Sequence, residues 1–168
     1  NQKAYIDSVT FKVIPESATR AAELETGYAQ IIEPVQPNEV EMIDATSSSV
    51  SITPGSSLSY IGFNINKKPF DDVRVRQAIS MIVDQQLIIN GIYEGIGEPA
   101  RGPLAPTVFG YDGTLTPITK EIEKAKALLA EAGYAEGFET SIWTNDNPQR
   151  QNIAIMLQED LKQLNITA

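Results

Sequence analysis

Apolar residues along this chain switch between a period of two and a period near 3.6, and the switches fall at proline, glycine and serine. Val9, Phe11 and Val13 alternate with Thr10 and Lys12 as far as Pro15, which predicts a half-buried strand over 8–14. Ser17 then stands where a helix cap belongs and Gly27 where a left-handed helix end falls, so a short helix is expected from Ala18 to Thr26. Ile31 and Ile32 read as a second strand. Pro37 suits a first helical position, with Val40 and Ile43 facing inward as far as Ala45.

The alternation returns at Ile61, Phe63 and Ile65, set against Gly62, Asn64 and Asn66, and predicts a strand over 59–65 stopped by Pro69. Val75, Ala78, Ile79 and Ile82 then fall on one helical face, giving a helix over 74–83 that Asp72 can cap. Asp84 caps a second short helix ending at Asn90-Gly91. Ile122, Ala125, Leu128, Leu129 and Ala132 share one face of a helix over 121–132 closed by Gly133. Phe138 to Trp143 reads as a strand, with Thr140 and Ile142 facing away from Ser141 and Trp143. Pro148 opens a last helix over 148–164, striped by Ile153, Leu157, Leu161 and Leu164 and closed by Asn165. Strands alternating with helices define the class as α/β.

Composition narrows the chemistry. The 168 residues carry 22 acidic and 13 basic side chains, a net charge of −9 that disfavours nucleic acid and anionic membrane surfaces as partners. There is no cysteine and no histidine, which removes thiol nucleophiles, histidine triads and the commonest zinc ligands. A hydrolase would need a Ser–Lys or two-carboxylate site, and no G-x-S-x-G turn is present. Gly95-Ile96-Gly97 follows a helix and lacks the Lys-Ser/Thr of a phosphate loop, so that reading fails. No apolar run approaches the ~20 residues that span a bilayer, and Asn1 to Asp7 does not read as a signal peptide. Ser47 to Ser59, with Pro54-Gly55 at its centre and a short strand at Val50 and Ile52, is a surface turn or a hinge. A hinge would use the tolerant backbone of Gly55 to Leu58.

Two runs are more specific. Gly62 to Ile79 reads G-F-N-x-x-K-x-P-F-x-D-x-R-V-R-x-A-I, and Lys124 to Tyr134 is followed by Gly137-Phe138. In both, the chain resembles the peptide- and nickel-binding family of extracellular solute-binding proteins, the ligand-capturing subunits of ABC importers. The resemblance implies a fragment of a two-lobed, type II periplasmic-binding-protein-like fold. Residues 1–57 would be the terminal part of the first lobe and 58–168 a partial second lobe, with the crossing near Gly55 to Leu58. Ile166-Thr167-Ala168 then reads as a strand cut short. The resemblance further implies an oligopeptide ligand held by lobe closure, permease subunits as partners, and no catalysis, cofactor or metal. It places the protein in the periplasm or, lipid-anchored, at the outer face of the membrane. A dipeptide, nickel complex, sugar or signalling peptide stays open as the solute. The family pattern has an acidic residue where Gln30 stands, a departure that weakens any role for that position and leaves the fold reading alone. Strand edges left bare by truncation would favour a dimer of the fragment.

Ligand chemistry concentrates in Thr144-Asn145-Asp146-Asn147, a polar loop between the carboxyl end of a strand and a helix start, where open α/β sheets place ligands. Asp146 has two readings. It caps the helix, a task Asn147 can also perform, or, as the resemblance implies, it accepts the α-ammonium of a peptide. Trp143, the only tryptophan, either floors a side-chain pocket or packs beneath the helix. Arg101, in the loop of Pro99, Pro103 and Pro106, faces the cleft or solvent.

Overall fold

The computed structural model describes residues 5–168, which separate into two compact units divided between Ile52 and Thr53. In the first unit, α1 spans Ser17–Glu25. It begins one residue before the expected start. Glu16 has extended backbone and its carbonyl accepts the first helical bond from Arg20 N at 3.2 Å, so Ser17 lies inside the helix and does not cap it. Gly27 ends the helix at φ 79°, a conformation that glycine adopts without strain. The guanidinium of Arg20 donates to the carbonyls of Ile14 at 2.8 Å, Pro15 at 2.9 Å and Pro34 at 3.0 Å. One side chain thereby ties together the extended segments on either side of α1. A 3-10 turn, Pro37–Glu39, leads into α2, Val40–Asp44, and Glu39 reaches back to accept from Gln36 N at 3.1 Å. Among the described residues, Ala21 and Ile43 are the buried apolar side chains of this unit.

The second unit is built around α3, Val73–Ser80, which packs on α5, Ile122–Glu131. In sequence α4, Gln85–Ile92, falls between them, and α6, Pro148–Lys162, is the last helix. As expected, Asp72 caps α3 and Asp84 caps α4, accepting from Arg74 N at 2.8 Å and Leu87 N at 2.9 Å. Helix α4 runs past Asn90-Gly91 and stops at Glu94 and Gly95, both at positive φ. The predicted apolar faces converge: Val75, Ala78, Ile79 and Ile82 meet Ala125, Leu129, Leu157, Leu161 and Leu164 in one core. Arg74 joins two helices from outside that core. It grips Asp72 at 2.6 Å and donates to the Glu131 carbonyl, at the last turn of α5, at 2.8 Å.

The expected strands are the principal correction. Segments 8–14, 31–32, 50–52 and 59–65 lie outside any helix or ladder, and among the described residues the only bridge is parallel, Glu139 to Thr167. Alternation specifies which residues share a face, whereas a ladder needs a partner. Over 138–140 the partner is the chain's own end: Thr167 N donates to Phe138 O at 3.0 Å and Thr140 N to Thr167 O at 2.8 Å. Elsewhere most of the alternating apolar side chains stand in solvent, Phe11 at 92% and Val13 at 93% exposure, while Ile32 and Val50 are half-buried. Phe63 does reach the core, stacking in a chain of rings with Phe70, Phe138 and Tyr134 at centroid separations of 5.6–5.9 Å.

The bridge rests on a close approach. Gly137, at φ 74°, lies against Asn165, and a Cβ placed there would stand 2.0 Å from the Asn165 carbonyl oxygen. Asn165 itself closes α6 at φ 57°, as its position in the sequence predicts.

Candidate ligand-binding loop

The loop of residues 143–147 is placed by the bridge on one side and by α6 on the other. Ile142 turns inward onto the core, and the alternation of an extended chain then sends Trp143 outward, at 91% exposure. Its indole N–H donates to Ser141 Oγ at 3.0 Å. Packing beneath α6, one of the two roles open to Trp143, is therefore excluded.

Capping of α6 falls to one residue. Asn147 has extended backbone and its side chain accepts from Arg150 N at 3.0 Å, with Pro148 at the first helical position, where no N–H is needed. Asn145 Oδ1 accepts from Asn147 N at 3.3 Å, an Asx turn that presents the capping residue, and Gln151 Nε2 donates to Asn145 O at 3.5 Å. Asp146 does not cap. Its carboxylate is exposed and makes no hydrogen bond or ion pair among the described residues. Thr144 is exposed as well.

The sequence-predicted residues thus divide. Trp143, Thr144, Asn145 and Asp146 lie on one short exposed stretch, with Asn145 occupied by the turn and Asp146 free. Arg101 belongs to the loop between α4 and α5, is exposed, and donates to the Leu115 carbonyl at 3.5 Å. Two anchoring side chains escaped the sequence reading, Arg20 and Thr107, because a side chain bonding to a distant carbonyl leaves no periodic trace. Among the described residues no group of three or more acidic, histidine or cysteine side chains is placed to hold a metal ion, and no helix is long and apolar enough to cross a membrane.

The perturbed carboxylates lie elsewhere. Asp72 is held down to about 2, first by the hydrogen bond from the Arg74 side chain and then by the Arg74 backbone N–H. Asp112 is lowered by the hydroxyl and then the backbone N–H of Thr114. Both shifts accompany local caps and turns and do not mark a reactive centre.

Comparison with known proteins places the chain. Residues 1–168 match the family described as bacterial extracellular solute-binding proteins, family 5 Middle. The chain belongs to that family. It is 38% identical to heme-binding protein A of Haemophilus influenzae, over 90% of this chain and 29% of the relative. It is 34% identical to the dipeptide-binding protein of Escherichia coli, over 99% of this chain and 32% of the relative. Among solved structures it superposes on the periplasmic binding protein DppA of Helicobacter pylori, determined with the peptide STSA. The TM-score is 0.81 at 34% identity, covering 99% of this chain and 33% of that one. The chain therefore takes up part of a type II periplasmic-binding-protein fold, in agreement with the class expected from its sequence. It spans about a third of the length of the relatives it matches.

Proposed function

We propose that this chain forms part of a binding protein that captures peptides outside the cytoplasm and delivers them to ABC permease subunits, by binding and not by catalysis. The observation that carries this reading is the division of labour in the 143–147 loop. Asn147 closes α6, so an exposed tryptophan and an unpaired carboxylate are left with no structural task in the fold. Free carboxylates suit a peptide's α-ammonium, and exposed aromatic faces suit its apolar side chains. The peptide held by the Helicobacter pylori neighbour and the dipeptide of the Escherichia coli relative's name support the same solute class.

In this reading the residues to about 57 complete a first lobe, those from 58 belong to a second, and ligand is held as the lobes close. Thr144, Asn145 and Arg101 add polar contacts. The periplasmic neighbour supports a periplasmic site of action, and a lipid anchor at the membrane's outer face is the alternative. As an isolated piece, the chain pairs with a second copy through its exposed extended segments.

Identity to a heme-binding relative favours one second reading, the same fold serving a different solute. Calorimetry on the complete binding protein separates the two. Free tripeptides and tetrapeptides are expected to bind, and their N-acetylated forms to bind poorly. Tight binding of hemin with no heat from any peptide would overturn the peptide assignment.

A further inference from the structure

Two dipeptides in this chain carry the makings of a spontaneous rearrangement. Asn90-Gly91 and Asp112-Gly113 are the places where glycine follows a short amide or carboxyl side chain, and glycine leaves its main-chain N unhindered for attack on that side chain. The fold treats the two differently. Asn90 and Gly91 lie inside α4, where the helical ladder engages main-chain N–H groups, and Asn90 Oδ1 accepts from Gln86 Nε2 at 3.0 Å. Asp112-Gly113 belongs to no helix. What holds it is Thr114, whose backbone N–H and hydroxyl both donate to Asp112 Oδ1, at 2.9 and 2.6 Å. The result is an Asx turn reinforced by a second donor.

We propose that Asp112-Gly113 is a site of spontaneous isoaspartate formation, and that Thr114 restrains the reaction by clasping the Asp112 carboxylate. In the reaction the Gly113 N forms a bond to Asp112 Cγ and gives up its proton, while a carboxyl oxygen departs as water. One water then reopens the succinimide. Attack at Cγ restores aspartate, and attack at the main-chain carbonyl leaves the chain running through Cγ as isoaspartate, with composition and oxidation state unchanged. The departing oxygen must be protonated, and Thr114 opposes that: its hydroxyl first, then its N–H, hold the carboxyl below its usual range. Ring closure also consumes the carboxylate that both bonds grip. Rearrangement adds a methylene to the main chain just before Leu115. The Leu115 Cδ1 lies only 3.0 Å from where a Cβ on Gly102 would stand, and its carbonyl accepts from Arg101, so the longer loop displaces both contacts. Every reacting atom belongs to residues 112 and 113, so the inference holds whichever solute is bound.

The complete binding protein is incubated at neutral pH, digested and mapped by electron-transfer mass spectrometry, which separates isoaspartate from aspartate by the fragments each yields. A synthetic peptide of residues 108–118 gives the unrestrained rate. Isoaspartate at 112 should accumulate more slowly in the protein than in the peptide. Thr114→Val removes the hydroxyl and keeps the N–H, and should raise the rate roughly two- to ten-fold, the effect of losing one hydrogen bond. Thr114→Ser should match the parent. Gly113→Ala should nearly abolish the reaction, and its Cβ meets the Tyr111 ring at 3.5 Å, an ordinary contact. Deamidation at Asn90, visible as a mass gain, reports opening of α4, and where it appears in the valine variant Thr114→Ala takes its place. A protein rate equal to the peptide's, a donor-free variant no faster than the parent, or a serine variant as fast as the donor-free one would overturn the proposal.

Discussion

Replacing Gly137 with alanine tests the closest approach in the fold. The new Cβ would stand 2.0 Å from the Asn165 carbonyl oxygen and 2.4 Å from its carbon, both backbone atoms that cannot swing aside. The residue also sits at φ 74°, where an L side chain is strained by about 1–2 kcal/mol. Relief of the clash requires the 134–137 turn and the 165–167 segment to part, which breaks the two bridge hydrogen bonds at 3.0 and 2.8 Å. Two such bonds are worth about 0.5–1.5 kcal/mol each, so the total loss is about 2–5 kcal/mol. For a chain of this size that is a Tm lower by roughly 4–20 °C. Gly133→Ala is the internal control. It sits at φ 86° with no atom within 4 Å of the added carbon, so it should lose only the backbone term. Thermal melts of both variants by far-ultraviolet circular dichroism give the difference. Equal destabilisation of the two would refute the reasoning, because the Asn165 contact could then contribute nothing.

Three further outcomes are expected. In the complete binding protein, Asp146→Asn should weaken free peptides by about 2–5 kcal/mol, the scale for losing one partner of a desolvated charge pair, and should leave Tm in place because Asn147 holds the cap. Calorimetry with free and N-acetylated peptides checks this, and unchanged affinity for the free peptide would end the anchor role. Residues 1–168 alone should show no micromolar peptide binding by the same method, since an unclosed site leaves ligand polar groups in water. Acid titration should find Asp72 at work. Its pKa in the fold is lowered from 3.8 to about 2, so the stability it contributes is present above 3.8 and is lost as pH falls toward about 2. Asp72→Asn should flatten that part of the acid-unfolding profile, and an unchanged profile would deny the Arg74 pairing any role in stability.

Helices were legible in the sequence because their information is local. The stripe Val75, Ala78, Ile79, Ile82 and the caps Asp72 and Asp84 lie within a few residues of what they stabilise. Strands were legible only as faces. The alternation at Val9, Phe11 and Val13 predicts extended backbone, yet nothing in those residues says whether a neighbour pairs with them, and among the described residues none does. The 143–147 loop could be located from its strand-to-helix setting, but assigning the cap between Asp146 and Asn147 required the backbone, because both side chains are competent acceptors. Arg20 and Thr107 were invisible for the opposite reason: their acceptors are carbonyls whose identity carries no sequence signature.

The cap at Asn147 also bears on how such a loop can change over generations. It secures α6 through its own side chain and carbonyl, which accept from Arg150 N and Gln151 N, and its own N–H donates to Asn145 Oδ1. Trp143, Thr144 and Asp146 therefore form a stretch in which substitutions alter what is displayed to solvent while the helix behind stays seated. Mutational drift there is sheltered from selection on folding, and a new solute preference can be tried without first losing the protein that would carry it.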